Sequence, residues 1–234
     1  MKIAIISDIH ANFVALDAVY NYLKREGVCQ IYALGDLVGY YPQIDEVIDF
    51  IIEKNIITIM GNYDKACLCK DEKEGILYLK KDLPEDRRRV FLWTRKRLSD
   101  KVRDFLSGLP QKIELHFDKR KMLLVHGSPT GIANYIYPNT STFYLESLLS
   151  ENMVDIIVCG HTHQSMILGT REGYVLNPGS VGVPDNSENT ASCLIIELSK
   201  EPFFEIKKVP YDREFADLLA KKFIYSTFDS EKLS

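Results

Sequence analysis

Apolar residues in the first third of the chain follow two alternating patterns. Continuous apolar runs at KIAIIS (2–7), QIYALGD (30–36) and IITIMGN (56–62) predict three buried strands. Between them, FVALDAVYNYLKREG (13–27) and IDEVIDFIIEKN (44–55) carry apolar residues at helical spacing and predict two helices. Alternation of strands and helices favours parallel strand pairing, and nearly continuous apolar strands indicate that both faces of the sheet are covered.

The pattern changes between about residues 65 and 110, where the chain is highly charged and mostly helix-forming. We expect a helical excursion of two or three helices here, with Ser99 as an N-cap. Strands resume at KIELHFD (112–118), and the second half then reads as hairpin-like, mostly antiparallel strands. We therefore predict an α/β fold. Two mixed β-sheets, one from each half of the chain, pack face to face as a sandwich flanked by helices, in a single domain over residues 1–234.

Composition narrows the class of protein without naming a function. Hydrophobic residues make up 46% and charged residues 26% of the chain, as in an ordinary globular protein. The formal net charge of −4 argues against binding to nucleic-acid phosphates, and no apolar stretch approaches the length of a membrane span. The five scattered cysteines favour free thiols, and the start of the chain lacks a signal-peptide pattern. We therefore expect a cytoplasmic protein.

Polar side chains stand where the predicted buried strands end, often beside a glycine. The carboxyl ends of parallel strands are where ligands bind in α/β proteins. Four of the five histidines belong to this set, whereas His116 lies in the middle of a strand, on the face with the polar residues. We expect His116 to be a solvated histidine that serves as an internal control. The residues at the strand ends are Asp8, His10, Asp36, Asn62, His126, His161 and His163.

Two carboxylates, four imidazoles and one amide at a single sheet edge would be poorly satisfied without a cation. Mixed sets of this kind suit divalent Mn, Fe, Zn, Co or Ni. Seven candidate ligands exceed the four of a tetrahedral zinc site, and a carboxylate can bridge two metals that lie ~3.5–4 Å apart. The alternative is a set of unrelated capping residues, which requires a coincidence repeated at successive strand ends. We therefore predict two divalent transition-metal ions.

The order of these motifs resembles the calcineurin-like metallophosphoesterase superfamily. NPGSVG further resembles the small prokaryotic phosphodiesterase branch of that superfamily, and the resemblance covers roughly residues 1–200. Each motif alone is weak, whereas the ordered set is specific. The motifs are D-x-H (8–10), G-D (35–36), G-N-x-D (61–64), V-H-G (125–127), G-H-T-H (160–163) and NPGSVG (177–182).

The resemblance implies a fold, a chemistry and a role for each candidate ligand. A water or hydroxide bridging the two metals would be the nucleophile, and phosphoesters, with a lean toward phosphodiesters, would be the substrates. Small phosphoesters or nucleotide-like molecules are the partners it implies, with Asn62 and His126 also contacting the substrate in catalysis. By the resemblance, Asp8, His10 and His163 would hold the first metal, Asn62, His126 and His161 the second, and Asp36 would bridge them.

Three further residues lie in or beside these motifs, and two of them have alternative roles. Tyr63 stands where the superfamily often has the histidine that protonates the leaving group. A tyrosine could donate a proton, but its ordinary pKa near 10 is not tuned for it, and packing or substrate contact is the alternative. Asn12 either faces the phosphate or caps the first helix. Asp64 is expected to orient a ligand histidine.

The sequence offers two alternative functions. A non-catalytic scaffold is possible because the retromer subunit keeps this fold as a binding module, although the complete ligand set argues against it. A phosphoprotein phosphatase should carry cations in its motif loops, where only Lys65 is found.

The basic stretch at 86–103 either steers an anionic substrate or is a solvated helix face. Tyr40 or Tyr41 either borders the substrate pocket or packs in the protein interior. The sequence is compatible with a homo-oligomer and carries no strong nucleic-acid signature.

Overall fold

The computed structural model describes residues 1–79, 83–185 and 189–225. The strands within these ranges are β1 (Lys2–Ile6), β2 (Gln30–Ala33), β3 (Ile57–Thr58), β4 (Lys112–Phe117), β5 (Arg120–Val125), β6 (Ile156–Val158), β7 (Met166–Gly169), β8 (Tyr174–Asn177), β9 (Thr190–Glu197) and β10 (Phe203–Pro210). The α-helices are α1 (Phe13–Arg25), α2 (Ile44–Glu53), α3 (Asn62–Leu68), α4 (Glu72–Ile76), α5 (Glu85–Arg97), α6 (Asp100–Ser107), α7 (Thr142–Asn152) and α8 (Arg213–Ala220).

The first sheet has the strand order β10-β9-β1-β2-β3. The pairs β1–β2 and β2–β3 are parallel, which confirms the pairing predicted from the strand–helix alternation. Strand β3 is shorter than its apolar run suggested, although the amide of Ile59 still donates to Ala33 and extends the ladder. The carboxyl ends of β1, β2 and β3 therefore face the same edge of the sheet.

The second sheet has the order β4-β5-β6-β8-β7. The expectation of mostly antiparallel strands in the second half is wrong for its centre, because β5–β6 and β6–β8 are parallel. The assignment of one sheet to each half is also wrong, because β9 pairs with β1 and brings β10 into the first sheet. Strand β1 is buried on both faces and needs a partner at each edge, and apolar patterning alone does not say which strand provides it.

The predicted sandwich of two sheets flanked by helices is confirmed. Ile3 and Ile5 of β1 pack with Leu124 and Val158 between the two sheets. A second group of buried residues joins the outer face of the first sheet to α1, α2, α5, α6 and α8, and a third joins the second sheet to α7. No helix within the described ranges is both long enough and apolar enough to cross a bilayer.

Helices α3 to α6 form the predicted excursion, with four helices in place of two or three. The hydroxyl of Ser99 accepts a hydrogen bond from the amide of Val102, so its predicted role as the N-cap of α6 is confirmed. The basic helix α5 buries Val90, Phe91 and Trp93 against the rest of the protein. This packing brings the amino-terminal turn of α5 to the carboxyl edge of the first sheet, beside the predicted ligands.

Candidate metal centre

The loops that follow the buried strands turn abruptly at the candidate ligands. A non-glycine residue in the left-handed region has a conformational cost of roughly 1–3 kcal/mol, and such residues cluster at functional sites. Five of the seven predicted ligands adopt it, which indicates that the fold holds their side chains in place against backbone strain. These residues are Asp8 (φ 54°), His10 (φ 51°), Asp36 (φ 52°), His161 (φ 66°) and His163 (φ 61°).

The structure brings Asp8, His10 and His163 together in a first group. One potential ligand atom from each residue lies within 4.8 Å of the others. The Nε2 atoms of His10 and His163 are 3.3 Å apart, and Asp8 Oδ1 lies 3.4 Å from His163 Nε2. These are the three residues that the resemblance assigned to one metal.

A second group contains Asp36, His126 and His161, again within 4.8 Å of one another. Asn62 joins it, because its Oδ1 lies 2.7 Å from His126 Nε2. Asp36 faces both groups: Oδ1 lies 3.5 Å from His126 Nε2, and Oδ2 lies 3.8 Å from His10 Nε2. All seven predicted ligands therefore converge, and Asp36 lies between the two groups.

Backbone carbonyls set the tautomers of three of these histidines. The Nδ1 atoms of His10, His126 and His163 lie 3.2, 2.7 and 2.7 Å from the carbonyl oxygens of Val38, Leu34 and Val183. A carbonyl can only accept, so each Nδ1 carries a proton, and each ring presents a lone pair on Nε2 when it is neutral. This arrangement is the usual way in which a protein orients a histidine for a metal.

Burial keeps most of these rings neutral. Burial and the neighbouring His163 lower the pKa of His10 to about 3, and burial lowers the pKa of His161 to about 3. His163 differs: burial lowers its pKa, but the adjacent Asp8 carboxylate outweighs that effect and raises it. Burial also raises the pKa of Asp36, with Asp64 and Asp8 adding like-charge repulsion.

Pairs of hydrogen-bond acceptors consequently face each other inside the protein. The amide nitrogen of Asn62 donates to the carbonyl of Tyr78, so its oxygen is the atom that faces the unprotonated Nε2 of His126. Among the described residues, His161 Nε2 and Asp8 Oδ1 are buried without a hydrogen-bond partner. Divalent cations would satisfy all of these lone pairs at once, so the residues present fit a metal centre.

Asp64 is held by backbone amides beside the site. Its carboxylate is fully buried and accepts hydrogen bonds from the amides of Leu37, Val38 and Gly61, at 2.9, 3.2 and 3.0 Å. Its oxygens are taken up by the backbone of two motif loops, so its expected role in orienting a ligand histidine stays a prediction. Burial raises its pKa to about 6 although these amides stabilise the anion. It reaches the site indirectly, since the carbonyl of Val38 orients His10.

Asn12 and Tyr63 are both buried beside the site. The Oδ1 of Asn12 accepts from the amide of Ala15 at 3.1 Å, and its Nδ2 donates to the carbonyl of Gly182 at 3.0 Å. These contacts support the alternative that Asn12 caps α1. Tyr63 is only 5% exposed, and its ring packs edge-on against Phe91, which supports the packing alternative although one edge borders the cavity.

A cavity of about 560 Å³ opens beside the candidate ligands. Tyr40 borders it as one alternative predicted, whereas the hydroxyl of Tyr41 points away and donates to Asp217 at 2.8 Å. Arg87, Tyr135 and Tyr137 are among the lining residues that the motifs did not indicate. Arg87 belongs to the basic stretch at 86–103, and the alternating tyrosines of NYIYP (134–138) are the sequence signal for Tyr135 and Tyr137.

His116 behaves as the predicted control. Its side chain is 63% exposed on β4, and its Nε2 lies 2.7 Å from the Glu114 carboxylate. Strand β4 is an edge strand of the second sheet. The fifth histidine therefore faces solvent and an acidic neighbour, whereas the other four converge.

Comparisons with known proteins agree with this geometry. The family model of the calcineurin-like phosphoesterase superfamily domain matches residues 1–201. A curated relative, the uncharacterized protein MJ0912 of Methanocaldococcus jannaschii, is 34% identical over 227 residues, which span 90% of this chain and 88% of the relative. The chain resembles that archaeal protein over most of both lengths.

Two solved structures share the fold. A metallophosphoesterase from Sphaerobacter thermophilus is 27% identical with a TM-score of 0.74, covering 95% of this chain and 94% of that one. The hypothetical protein PH1004 from Pyrococcus horikoshii OT3 has a TM-score of 0.80 at 24% identity, covering 100% of this chain and 94% of that one. At that identity the second likeness supports the fold alone.

Proposed function

The chain belongs to the calcineurin-like phosphoesterase superfamily, and from that premise we propose that it is a dinuclear metal-dependent hydrolase of small phosphodiesters. The observation that carries the proposal is the position of Asp36. Its two carboxylate oxygens face His126 in one group and His10 in the other, at 3.5 and 3.8 Å. A carboxylate so placed can serve both groups, which supports two metals in place of one.

Different residues of the chain would have different roles in such a site. Divalent cations bound there would lower the pKa of a water molecule and neutralise charge on the phosphoryl oxygens. His10, His126 and His163 would present their Nε2 atoms to the metals, because carbonyls hold their Nδ1 protons. Asn62 would present its oxygen, because its nitrogen is held by Tyr78. These contacts orient the ligands before any substrate arrives, which limits the reorganisation that catalysis requires.

The surroundings of the site favour diesters with good leaving groups. Burial raises the pKa of the Tyr63 phenol well above its ordinary value, and the ring is packed against Phe91, so Tyr63 is a poor proton donor to a departing alkoxide. Of the side chains that line the cavity, Arg87 is the only lysine or arginine among the described residues. One cation suits the single negative charge of a phosphodiester better than the dianion of a phosphomonoester, and it also argues against a phosphoprotein phosphatase.

We propose that the protein acts in the cytoplasm. Its metals would be Mn, Fe, Zn, Co or Ni. The five cysteines are all free thiols, which supports a reducing compartment. A non-catalytic scaffold is the weaker alternative, because such a protein would gain nothing from burying acceptors that face one another. Among the described residues, His161 Nε2 and Asp8 Oδ1 are buried without a hydrogen-bond partner, which is unfavourable for folding.

The decisive experiment combines metal analysis with hydrolysis of bis(p-nitrophenyl) phosphate. Protein stripped with a chelator should be inactive, and it should recover activity in parallel with the uptake of two equivalents of Mn, Co, Ni, Fe or Zn. Asp36→Asn should lower kcat at least ~100-fold, because one side chain serves both groups. Its amide oxygen can still accept from the amide of Tyr63, as Asp36 Oδ1 does at 2.7 Å, so the fold should persist. Full activity in excess chelator would exclude the mechanism, and full activity of Asp36→Asn would exclude the role of Asp36.

A further inference from the structure

Two tyrosine rings stack outward from one candidate metal ligand. The ring of Tyr135 stacks on His161, with centroids 4.1 Å apart and planes at 26°. The ring of Tyr137 continues the stack, 5.3 Å from Tyr135 and only 7° from parallel. We call Tyr135 and Tyr137 the tyrosine arm.

The tyrosine arm borders the same cavity as the candidate ligands. Tyr137 is 39% exposed, so its ring is only partly used in packing. Across the cavity, Tyr40 packs against the ring of His10 at 4.4 Å, and the guanidinium of Arg87 lies 4.5 Å from the Tyr40 ring centre. Among the described residues no acidic side chain forms an ion pair with Arg87, whereas its neighbour Arg88 pairs with Glu72. The cavity therefore combines a phosphate-binding centre, a cation and partly open aromatic rings.

We propose that the tyrosine arm is a subsite for a planar aromatic group in the alcohol or phenol that is esterified to the phosphate, so that the substrates are phosphodiesters carrying a nucleobase or an aryl group. Stacking on tyrosine suits such a group because every base or aryl ring has a π-face, and the contact needs no specific hydrogen bonds. The stack starts at the ring of His161, so a planar group joined to the bound phosphate through a few bonds lies within its reach. This inference rests on the proposed function for the position of the phosphate.

Tyr137 is the residue at which to test the subsite. Tyr135 touches His161, so its loss would also disturb a candidate ligand, whereas Tyr137 has no ring contact with a candidate ligand among the described residues. Tyr137→Leu removes the outer ring, and Tyr137→Phe keeps it. Tyr144→Leu is the matched control, because Tyr144 is 40% exposed, stands nearby in sequence on α7 and does not line the cavity.

Two ligands that differ only in the base measure the contribution of the ring. One is the phosphinate analogue of the methyl ester of adenosine 5′-monophosphate, in which carbon replaces both ester oxygens so that a single negative charge remains, and the other is the same phosphinate on methyl ribofuranoside. Neither can be hydrolysed, so their affinities for the Mn-loaded protein can be measured by isothermal titration calorimetry. We expect the base to tighten binding roughly tenfold, the ordinary effect of one stacked base.

The Tyr137 and Tyr144 variants then test whether the tyrosine arm causes the preference for the base-bearing ligand. Tyr137→Leu should abolish most of the preference for the base-bearing ligand without changing the affinity of the other, while Tyr137→Phe and Tyr144→Leu retain the preference. Equal affinity of the two ligands for the wild-type protein, or no binding of either, would overturn the inference, as would equal effects of Tyr137→Leu and Tyr144→Leu. Hydrolysis of bis(p-nitrophenyl) phosphate by the same preparations is scored separately. Activity without a base preference rejects only the subsite, whereas a base preference without metal-dependent activity rejects only the proposed function.

Discussion

The Nε2 atoms of His10 and His163 lie 3.3 Å apart, although 153 positions separate the two residues along the chain. Each ring donates its Nδ1 proton to a backbone carbonyl, of Val38 and Val183 respectively, so two lone pairs face one another. Two neutral imidazoles repel in this orientation unless a proton or a cation lies between them. The fold therefore holds an arrangement that a metal ion would stabilise.

Removing one of these rings should remove one of the two metals. We expect His163→Ala to bind about one divalent ion in place of two, because a dinuclear site needs each group of ligands to be complete. Inductively coupled plasma mass spectrometry after desalting measures the metal content. The metal-free variant should melt lower than the metal-free wild type, because the buried Asp8 carboxylate loses the His163 ring beside it. His116→Ala, which changes a solvated histidine, should retain both ions, and two ions in His163→Ala would contradict the assignment.

Asp64 should prove important for stability. Asp64→Asn replaces a carboxylate that accepts three backbone hydrogen bonds with a group that can accept through one atom only. A buried donor left unsatisfied costs ~1–3 kcal/mol, so the free energy of unfolding of the metal-free protein should fall by about that amount in urea titrations. Asp71→Asn is the control, since Asp71 caps the exposed start of α4 and asparagine caps helices equally well. An unchanged unfolding free energy for Asp64→Asn would show that those contacts are dispensable.

Arg87 should contribute to the binding of anionic substrates. Arg87→Ala should raise KM for bis(p-nitrophenyl) phosphate ~10-fold and leave kcat within about twofold, because a hydrogen bond to a charged group contributes at least ~1.5 kcal/mol. The matched control is Arg97→Ala on the same helix: its guanidinium lies 4.8 Å from the Trp93 ring, much as Arg87 stacks on Tyr40, and it does not line the cavity. Steady-state kinetics at two ionic strengths separate a local contact from general electrostatics. Parallel changes in the two variants would argue for a nonspecific effect of charge.

The phenol of Tyr63 should be dispensable for aryl esters. Tyr63→Phe keeps the ring that packs on Phe91, and kcat for bis(p-nitrophenyl) phosphate should stay within about threefold, whereas loss of a general acid typically lowers the rate ~100-fold or more. The same comparison with an alkyl phosphodiester, followed by chromatography of the products, extends the test to poor leaving groups. A large loss confined to the alkyl ester would assign proton donation to Tyr63.

Much of the site could be predicted because its residues follow the ends of buried strands. Parallel strands bring their carboxyl ends to one edge, so Asp8, Asp36 and Asn62 were expected to meet from the apolar pattern alone. The contacts of Asp64 could not be predicted in the same way. A carboxylate beside predicted ligands suggests a histidine partner, but the tight turns of the loops at 36–38 and 61 leave backbone amides that need an acceptor first.

Residue type and spacing along the chain determined the sandwich of two sheets, the identity of the candidate ligands and the solvated position of His116, because these depend on local periodicity and on the chemistry of single side chains. Only the tertiary structure decided that β9 pairs with β1, that Arg87 reaches the cavity and that Tyr135 stacks on His161. Each of these contacts joins segments far apart in the sequence. Their partners are selected by which surfaces become buried together, and that depends on the packing of the whole chain.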